Sequence, residues 1–260
     1  IVGGGQLAKM TAMAAAELGL EIVILEKTEN TPASSLAADI LYGDWDDPDT
    51  LLQLAERVDI VSLENEFVDA NSLKAVEHAG HLLFPSSKTI GLVQDKLIQK
   101  QTLAAAGVAL APFAAIETKQ NIIDQAETLG WPLVLKARRN GYDGKGNATL
   151  NSTDDVDAAW EKLDGDKREL YVEGFCKFVA ELAIMITRSS NGEIVSYPVV
   201  ESVQKDHICH IVRAPAKIDN ALAKEAENLA RNAVTTIDGV GTIGVEMFLT
   251  EDKQILLNEM

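Results

Sequence analysis

Residues 134–150 read VLKARRNGYDGKGNATL: an apolar strand, a polar loop and a second strand in immediate succession. Lys136 sits near the end of the first strand. In the loop Gly141, Gly144 and Gly146 are interleaved with Tyr142, Asp143 and Lys145, and Asn147 opens the second strand. Glycines at that density let a loop fold over a polyphosphate with its N–H groups turned inward, while lysines neutralise charge. The loop is not a Walker A motif, because G-x-x-x-x-G-K-[ST] is absent. The competing reading is an ordinary hairpin, since Asp-Gly is a good turn dipeptide.

Upstream, residues 1–95 alternate between helix and strand. Helical patterns fall at 6–18, 32–39, 47–58 and 69–80, and apolar strands at 21–25, 40–44, 59–64 and 81–85. That alternation implies a parallel sheet covered on both faces, an open α/β domain. Two helical stretches, 86–95 and 96–107, lead to a proline-punctuated link at 108–113. A smaller α+β unit follows, with a helix at 119–130, strands at 132–137, 147–150 and 169–175, and a helix at 152–163. Beyond it the pattern gives long strands at 179–188, 193–200 and 208–215, a helix at 220–237, and strands at 241–250 and 254–260 joined by a turn at 251–253. The chain begins inside a strand without an initiating Met and stops inside another, so a fragment of a longer protein is expected.

The opening IVGGGQLAKM (1–10) raises a second possibility. Gly3, Gly5 and Ala8 fit G-x-G-x-x-G/A, and Glu26 ends the next apolar run, where a dinucleotide fold places its ribose-binding acid. On this evidence a nicotinamide enzyme stays open, as does a tight turn without a ligand. The geometry serves any phosphate or carboxylate.

Near the other end stand Glu246 in GVEMFL and Asn258-Glu259 in LLNEM. If the turn closes an antiparallel hairpin, Glu246 falls opposite Leu257, with Glu259 its diagonal neighbour on the same face. Two acids and an amide projecting together are costly unless a cation neutralises them, and an all-oxygen set suits Mg2+ shared with phosphates. The stretch YVEGFCKFVAEL, with Glu181 at its end, would suit an adenine and ribose pocket but is indistinguishable from a core strand. His207, Cys209 and His210 lack zinc-ligand spacing, and strand alternation separates His210 from the other two.

The 260 residues carry 23 Lys and Arg against 40 Asp and Glu, a net charge of −17. That excess argues against nucleic acid or anionic membranes as partners. Two cysteines, Cys176 and Cys209, are too few for a disulfide scaffold, and no apolar run approaches a membrane span, so a cytoplasmic protein is expected.

Taken in order, GGGQL, P-S-x-K, QDKLIQKQTLAAAGVALAPF, LKARRNGYDGKGN, VEGF, VEMF and NEM resemble the ATP-grasp superfamily, and within it the N5-carboxyaminoimidazole ribonucleotide synthetases. The resemblance implies an α/β ATP-grasp fold: a Rossmann-like, pre-ATP-grasp parallel-sheet domain over 1–95, linker helices and a small α+β lid over 96–175, and a larger antiparallel ATP-grasp subdomain, incomplete, over 176–260. It also implies roles. Lys96 and Lys136 would contact ATP, and residues 141–147 would close over its phosphates, with Tyr142, Asp143 and Lys145 acting in catalysis. Glu173, Gly174, Phe175 and Cys176 would line the adenine pocket, Glu181 would take the ribose, and Gln204 would lie near the nucleotide. Glu246 and Glu259 would hold Mg2+, or Mn2+ in its place, with Asn258 alongside. Gly4, Gly5, Gln6, Leu7, Glu64 and Glu66 would face the aminoimidazole ribonucleotide, leaving Glu26 an ordinary strand-end acid. The implied activity is carboxylation of that ribonucleotide with ATP and bicarbonate in purine biosynthesis, by a homodimer. Related alternatives are a formate-dependent glycinamide ribonucleotide transformylase or a biotin carboxylase; a silent nucleotide-binding module is a third class. Three departures stand out: Asn140 replaces a glycine, SLENEF follows E-x-E-N only loosely, and the Arg- and His-bearing stretch that follows NEM is missing.

Overall fold

A computed structural model describes residues 1–141, 146–205 and 208–260. The chain divides into two units, Ile1–Gly91 with Gly239–Gly241, and Leu92–Asp238 with Thr242–Met260.

In the first unit the elements run α1 (Gln6–Glu17), β1 (Val23–Glu26), β2 (Asp39–Tyr42), α2 (Pro48–Ala55), β3 (Ile60–Ser62), α3 (Ala70–His78) and β4 (Leu82–Phe84), and the division between units falls within α4 (Ser87–Gln94). β1 pairs β2 and β3 pairs β4, both in parallel, and Val2 bridges Leu25 on one side and Leu63 on the other. Val2 thus joins the pairs into one parallel arrangement. Ile24, Leu25 and Val61 are buried, as a sheet covered on both faces requires. Helix starts follow local chemistry: the Asp47 side chain accepts from the N–H groups of Asp49 and Thr50 with Pro48 next to it, and Asp69 accepts from Ser72. The helix expected over 32–39 is reduced to a single 3₁₀ turn at Ser34–Leu36.

The second unit opens with α5 (Lys96–Ala105), β5 (Phe113–Ala115), α6 (Lys119–Leu129), β6 (Leu133–Ala137), β7 (Asn147–Leu150), α7 (Val156–Lys162) and β8 (Leu170–Gly174). Their strands form an antiparallel sheet in the order β5-β8-β6-β7, with α6 and α7 on a core of Ile122, Leu133, Leu135, Leu150, Trp160 and Val172. β5 begins at Phe113, the last residue of the link that the sequence reads as irregular, and runs beyond it.

β9 (Phe178–Arg188), β10 (Ile194–Ser196), β11 (Val200–Lys205), β12 (Ile208–Arg213), α8 (Asn220–Thr236), β13 (Gly241–Thr250) and β14 (Ile255–Glu259) complete the chain. The larger sheet runs β12-β11-β9-β13-β14, with β10 also on β9. Alternate residues Leu182, Ile184 and Ile186 of β9, and Val245 and Met247 of β13, share a core with Ala226, Ala230 and Ala233 of α8. The single strand expected over 193–200 is instead broken around Tyr197-Pro198, since proline cannot donate to a ladder, and β11 begins after it.

Candidate functional site

The site is assembled from strand alternation. On β6, Leu133, Leu135 and Ala137 enter the core, so Lys136 projects from the opposite face. β8 behaves alike: Val172 points inward, leaving Tyr171 and Glu173 on the face of Lys136. Lys136 pairs with Tyr171 and Val134 with Glu173, so Lys136 and Glu173 are diagonal neighbours. Their side chains meet, with Lys136 Nζ 2.9 Å from Glu173 Oε2. The other Glu173 oxygen lies 2.9 Å from Lys100 Nζ and accepts a 3.0 Å hydrogen bond from the Tyr171 hydroxyl.

Glu173 is only 3 % exposed. Burial pushes its carboxyl upward, but Lys136 and Lys100 outweigh that and hold it below the usual glutamate range. Burial lowers the Lys100 ammonium despite Glu173, and raises the Tyr171 phenol well above its ordinary value.

α5 brings a second set of contacts to β14. The Lys96 ammonium meets the Glu259 carboxylate. Gln99 accepts from Met260 N–H at 3.1 Å and donates to the Met260 carbonyl at 3.2 Å. Lys100 donates to the Asn258 carbonyl at 3.0 Å, and the Asn258 side-chain oxygen faces Lys136 Nζ at 3.5 Å. Lys96, Gln99 and Lys100 are one helical face by their i, i+3, i+4 spacing.

Glu246 stands directly across from Glu259, correcting the expected register. A shift between Glu246 and Met247 leaves Met247 opposite Leu257 and moves the two acids from diagonal to facing positions. The Glu246 side chain keeps an opening to solvent, yet protein crowds it. Desolvation, then the charges of Glu259 and Glu181, raise its carboxyl to about 7. Glu181 lies on β9 across from Ser202. Two facing carboxylates beside an amide form an all-oxygen set, and the repulsion that lifts Glu246 is what a divalent cation would relieve. Among the described residues no cluster of three or more His, Cys, Asp or Glu is placed to hold a metal alone, so phosphates or water would supply the remaining ligands. Phe248, two residues along β13 from Glu246, stacks on Phe178 with centroids 4.6 Å apart.

The neck of the glycine-rich loop is tightly closed. Gly146 has φ 129°, and a Cβ there would come within 2.8 Å of Gly141 Cα, so only glycine fits. Asn147 pairs with Lys136. Asn140, at φ 58°, takes the left-handed conformation that glycine adopts freely and asparagine tolerates, which accounts for its presence here. Tyr142, Asp143, Gly144 and Lys145 lie outside the described residues, as does His207.

Gly174 N–H and Phe175 N–H donate to the carbonyls of Pro112 and Pro132, so these donors are engaged within the protein. Cys176 is partly buried, and burial raises its thiol. Gln204, at an irregularity in β11, donates to Ser202 Oγ at 2.9 Å. Asp95 caps α5 through Ile98 N–H and takes a bidentate pair from Arg138 at 3.1 and 2.6 Å, tying the start of α5 to the stem of the loop. Sequence reasoning missed Asp95, Gln99, Lys100, Arg138 and Tyr171. The available signal was Lys100 itself, which falls on the face of α5 that also carries Leu97 and Leu103.

In the first unit, the N–H groups at the glycine turn are already occupied. Gly4 N–H donates to Glu26 at 2.8 Å, and Gly5 and Leu7 N–H donate to Glu64 at 2.7 and 3.2 Å. A Cβ on Gly3 would lie 2.6 Å from a Glu64 oxygen, so glycine is needed to admit that carboxylate. Glu26, 7 % exposed, is therefore a structural cap and not the ordinary strand-end acid expected. With carboxylates filling the anion position, a nicotinamide pyrophosphate has no N–H cradle here. Gln6 and Leu7 are exposed at the start of α1, and Glu66 lies in the same loop as Glu64.

Comparison with known proteins shows the family. Residues 101–260 match the ATP-grasp domain, and residues 1–94 the ribonucleotide synthetase preATP-grasp domain. The chain belongs to the ATP-grasp family, among its carboxyaminoimidazole ribonucleotide synthases. The carboxyaminoimidazole ribonucleotide synthase of Aspergillus clavatus, in a complex with ATP, is 38% identical with a TM-score of 0.91, over 99% of this chain and 68% of that one. The same fungus's enzyme with ADP and 5-aminoimidazole ribonucleotide is 36% identical, TM-score 0.91, over 99% and 67%. A phosphoribosylaminoimidazole carboxylase of Ogataea methanolica is 39% identical over 100% of this chain and 48% of its own length. The chain thus spans about half the length of the fungal carboxylases it matches. Among the described residues no helix is long and apolar enough to cross a membrane.

Proposed function

We propose that the chain forms the nucleotide- and substrate-binding part of a ligase that carboxylates 5-aminoimidazole ribonucleotide with ATP and bicarbonate. The products are N5-carboxyaminoimidazole ribonucleotide, ADP and phosphate. The observation that carries this reading is the convergence of Lys96, Lys136, Glu173 and Asn258 beside the facing pair Glu246 and Glu259. Two lysines now held by glutamates can turn to phosphate oxygens, and the freed Glu259 can join Glu246 on a divalent cation. Magnesium, or manganese, when bound there neutralises phosphate charge.

In this reading Lys96 and Lys136 hold the ATP phosphates and residues 141–147 close over them. Glu173 to Cys176 and Gln204 border the base, and Glu181 takes the ribose hydroxyls. A bicarbonate oxygen attacks the γ-phosphorus, the bond to the ADP oxygen breaks, and carboxyphosphate forms. The exocyclic amine then attacks the carboxyl carbon directly or after CO2 release, the bond to phosphate breaks, and the amine loses a proton. Such chemistry needs positioning and charge stabilisation and no covalent enzyme intermediate. Closure of the loop, with Tyr142, Asp143 and Lys145 on it, excludes water from an intermediate that hydrolyses readily. In the first unit Gly4 to Leu7, with Glu64 and Glu66, would meet the ribonucleotide. Because Glu64 fills the anion position, the group it meets there is a donor such as a hydroxyl or the amine, and the 5′-phosphate is held elsewhere. The division into residues 1–95, 96–175 and 176–260, a cytoplasmic location and homodimeric assembly belong to the same reading; light scattering tests the last.

The deciding experiment measures ATP turnover by the whole protein with aminoimidazole ribonucleotide plus bicarbonate against glycinamide ribonucleotide plus formate, and against biotin plus bicarbonate. Turnover only with the first supports the proposal. Preference for either of the others overturns it in favour of another ATP-grasp ligase.

A further inference from the structure

Lys100 is 1 % exposed, on a helix one turn beyond Lys96. Its ammonium is 2.9 Å from Glu173 Oε1 and donates to the Asn258 carbonyl at 3.0 Å. Glu173 reaches Lys136 with its other oxygen, and Lys136 faces the side chain of Asn258. The four residues form a closed ring spanning α5, β6, β8 and β14. A buried ion pair is seldom retained for stability alone, because apolar residues of similar volume do as well or better.

We infer that Lys100 is a positioning residue, whose ammonium satisfies Glu173 so that Lys136 stays available to phosphate and fixes the Asn258 main chain so that Glu259 faces Glu246. This rests on the proposed ATP site. Two separable effects follow. Without Lys100, Glu173 has Lys136 as its one remaining lysine and competes with phosphate for it. The Asn258 carbonyl also loses its donor, so the main chain leading into Glu259 is less firmly held, although Gln99 still grips Met260 beyond it.

The test uses the whole protein with Lys100→Met, with Glu173→Gln, and with the two combined. Nucleotide affinity is read by calorimetry with MgADP, turnover by phosphate release. For Lys100→Met the expected result is about a tenfold rise in the MgADP Kd and a fall in kcat of similar size, as for residues sharing one network. Glu173→Gln alone is the reference for the double variant, because it carries any change in the base contact; with no carboxylate competing for Lys136, adding Lys100→Met to it leaves the Kd within about threefold while still lowering kcat. A purely structural role predicts a lowered melting temperature with unchanged Kd and kcat in the folded protein. Lys100→Met with the original Kd and kcat overturns the inference. If Lys100→Met does not fold, the double variant decides against Glu173→Gln alone: no change in either Kd or kcat, or a loss in both, overturns it. Failure of the unsubstituted protein to bind MgADP overturns the ATP-site reading as well, whereas binding that is indifferent to Lys100 overturns this inference alone.

Discussion

Both units place buried or half-buried glutamates beside a glycine-rich turn, and they satisfy them by opposite means. Glu26 accepts the backbone N–H of Gly4, and Glu64 those of Gly5 and Leu7. Glu173 is held by the ammonium groups of Lys100 and Lys136, and Glu259 by that of Lys96. A backbone N–H cannot move to another partner without unravelling the turn, so the first arrangement changes only if a carboxylate leaves it, and here the carboxylates fill the anion position. A lysine can rotate from carboxylate to phosphate, so Lys96 and Lys136 form an arrangement that exchanges. The glycines nearest the N-terminus look like an anion site and are a closed one; the lysines of α5 and β6 are where an incoming anion is drawn.

The sharpest way to break the comparison is to remove an exchangeable cation. Lys136→Met should cost at least about a hundredfold in kcat/KM for ATP, the range for removing a group that stabilises developing charge. Unchanged kcat/KM would show that Lys136 serves only Glu173. Next, Glu259→Gln should weaken the apparent Mg2+ affinity in ATP turnover by more than the roughly tenfold that even an outer partner of a metal ligand is worth. An unchanged Mg2+ titration would remove Glu259 from the metal site.

These effects concern residues that differ in how visible they are in sequence. The strand-loop-strand of residues 133–150 is legible because alternation and glycine density are local properties, and β6 and β7 form there. The Glu246 and Glu259 pairing was legible only as a shared face. The irregularity next to Met247, which turns a diagonal into a facing pair, depends on how β13 fits β14 and leaves no mark in residue type. Lys100 and Glu173 are 73 positions apart and meet only because α5 packs where β8 passes. Glu26 was misread because its partner, Gly4 N–H, is a backbone group that no side-chain pattern reports. The broken strand at Tyr197-Pro198 carried a proline signal that alternation across 193–200 obscured.

On the backbone-held side, Glu64→Ala should destabilise the protein by about 1–2 kcal/mol, the cost of stripping a helix N-terminus of its acceptor. The denaturation midpoint should fall while MgADP affinity stays unchanged, because no nucleotide contact is assigned to that turn. A loss of MgADP affinity would show that the two arrangements are not independent.

The smallest effect should come from Glu246. Its carboxyl is raised to about 7, by desolvation first and then by Glu259 and Glu181, against the opposing pull of Lys96 and Lys136. Between the ordinary glutamate value of 4.5 and about 7 the folded protein therefore keeps a proton that the unfolded chain has released. Stability gained from this group is complete at low pH and is lost as pH rises through about 7. Because the side chain keeps an opening to solvent, the step should be only about 1 kcal/mol, well short of the full shift. In metal-free buffer, Glu246→Gln should be more stable than the original at pH 8 and lose that advantage by pH 5, as read from paired denaturation curves. Saturating Mg2+ and ADP should reverse the order at pH 8, because the charge that costs stability in the empty site is the one the metal uses. A difference independent of pH would mean that Glu246 is solvated like a surface acid, and the exchangeable side of the comparison would then stop at Glu173 and Glu259.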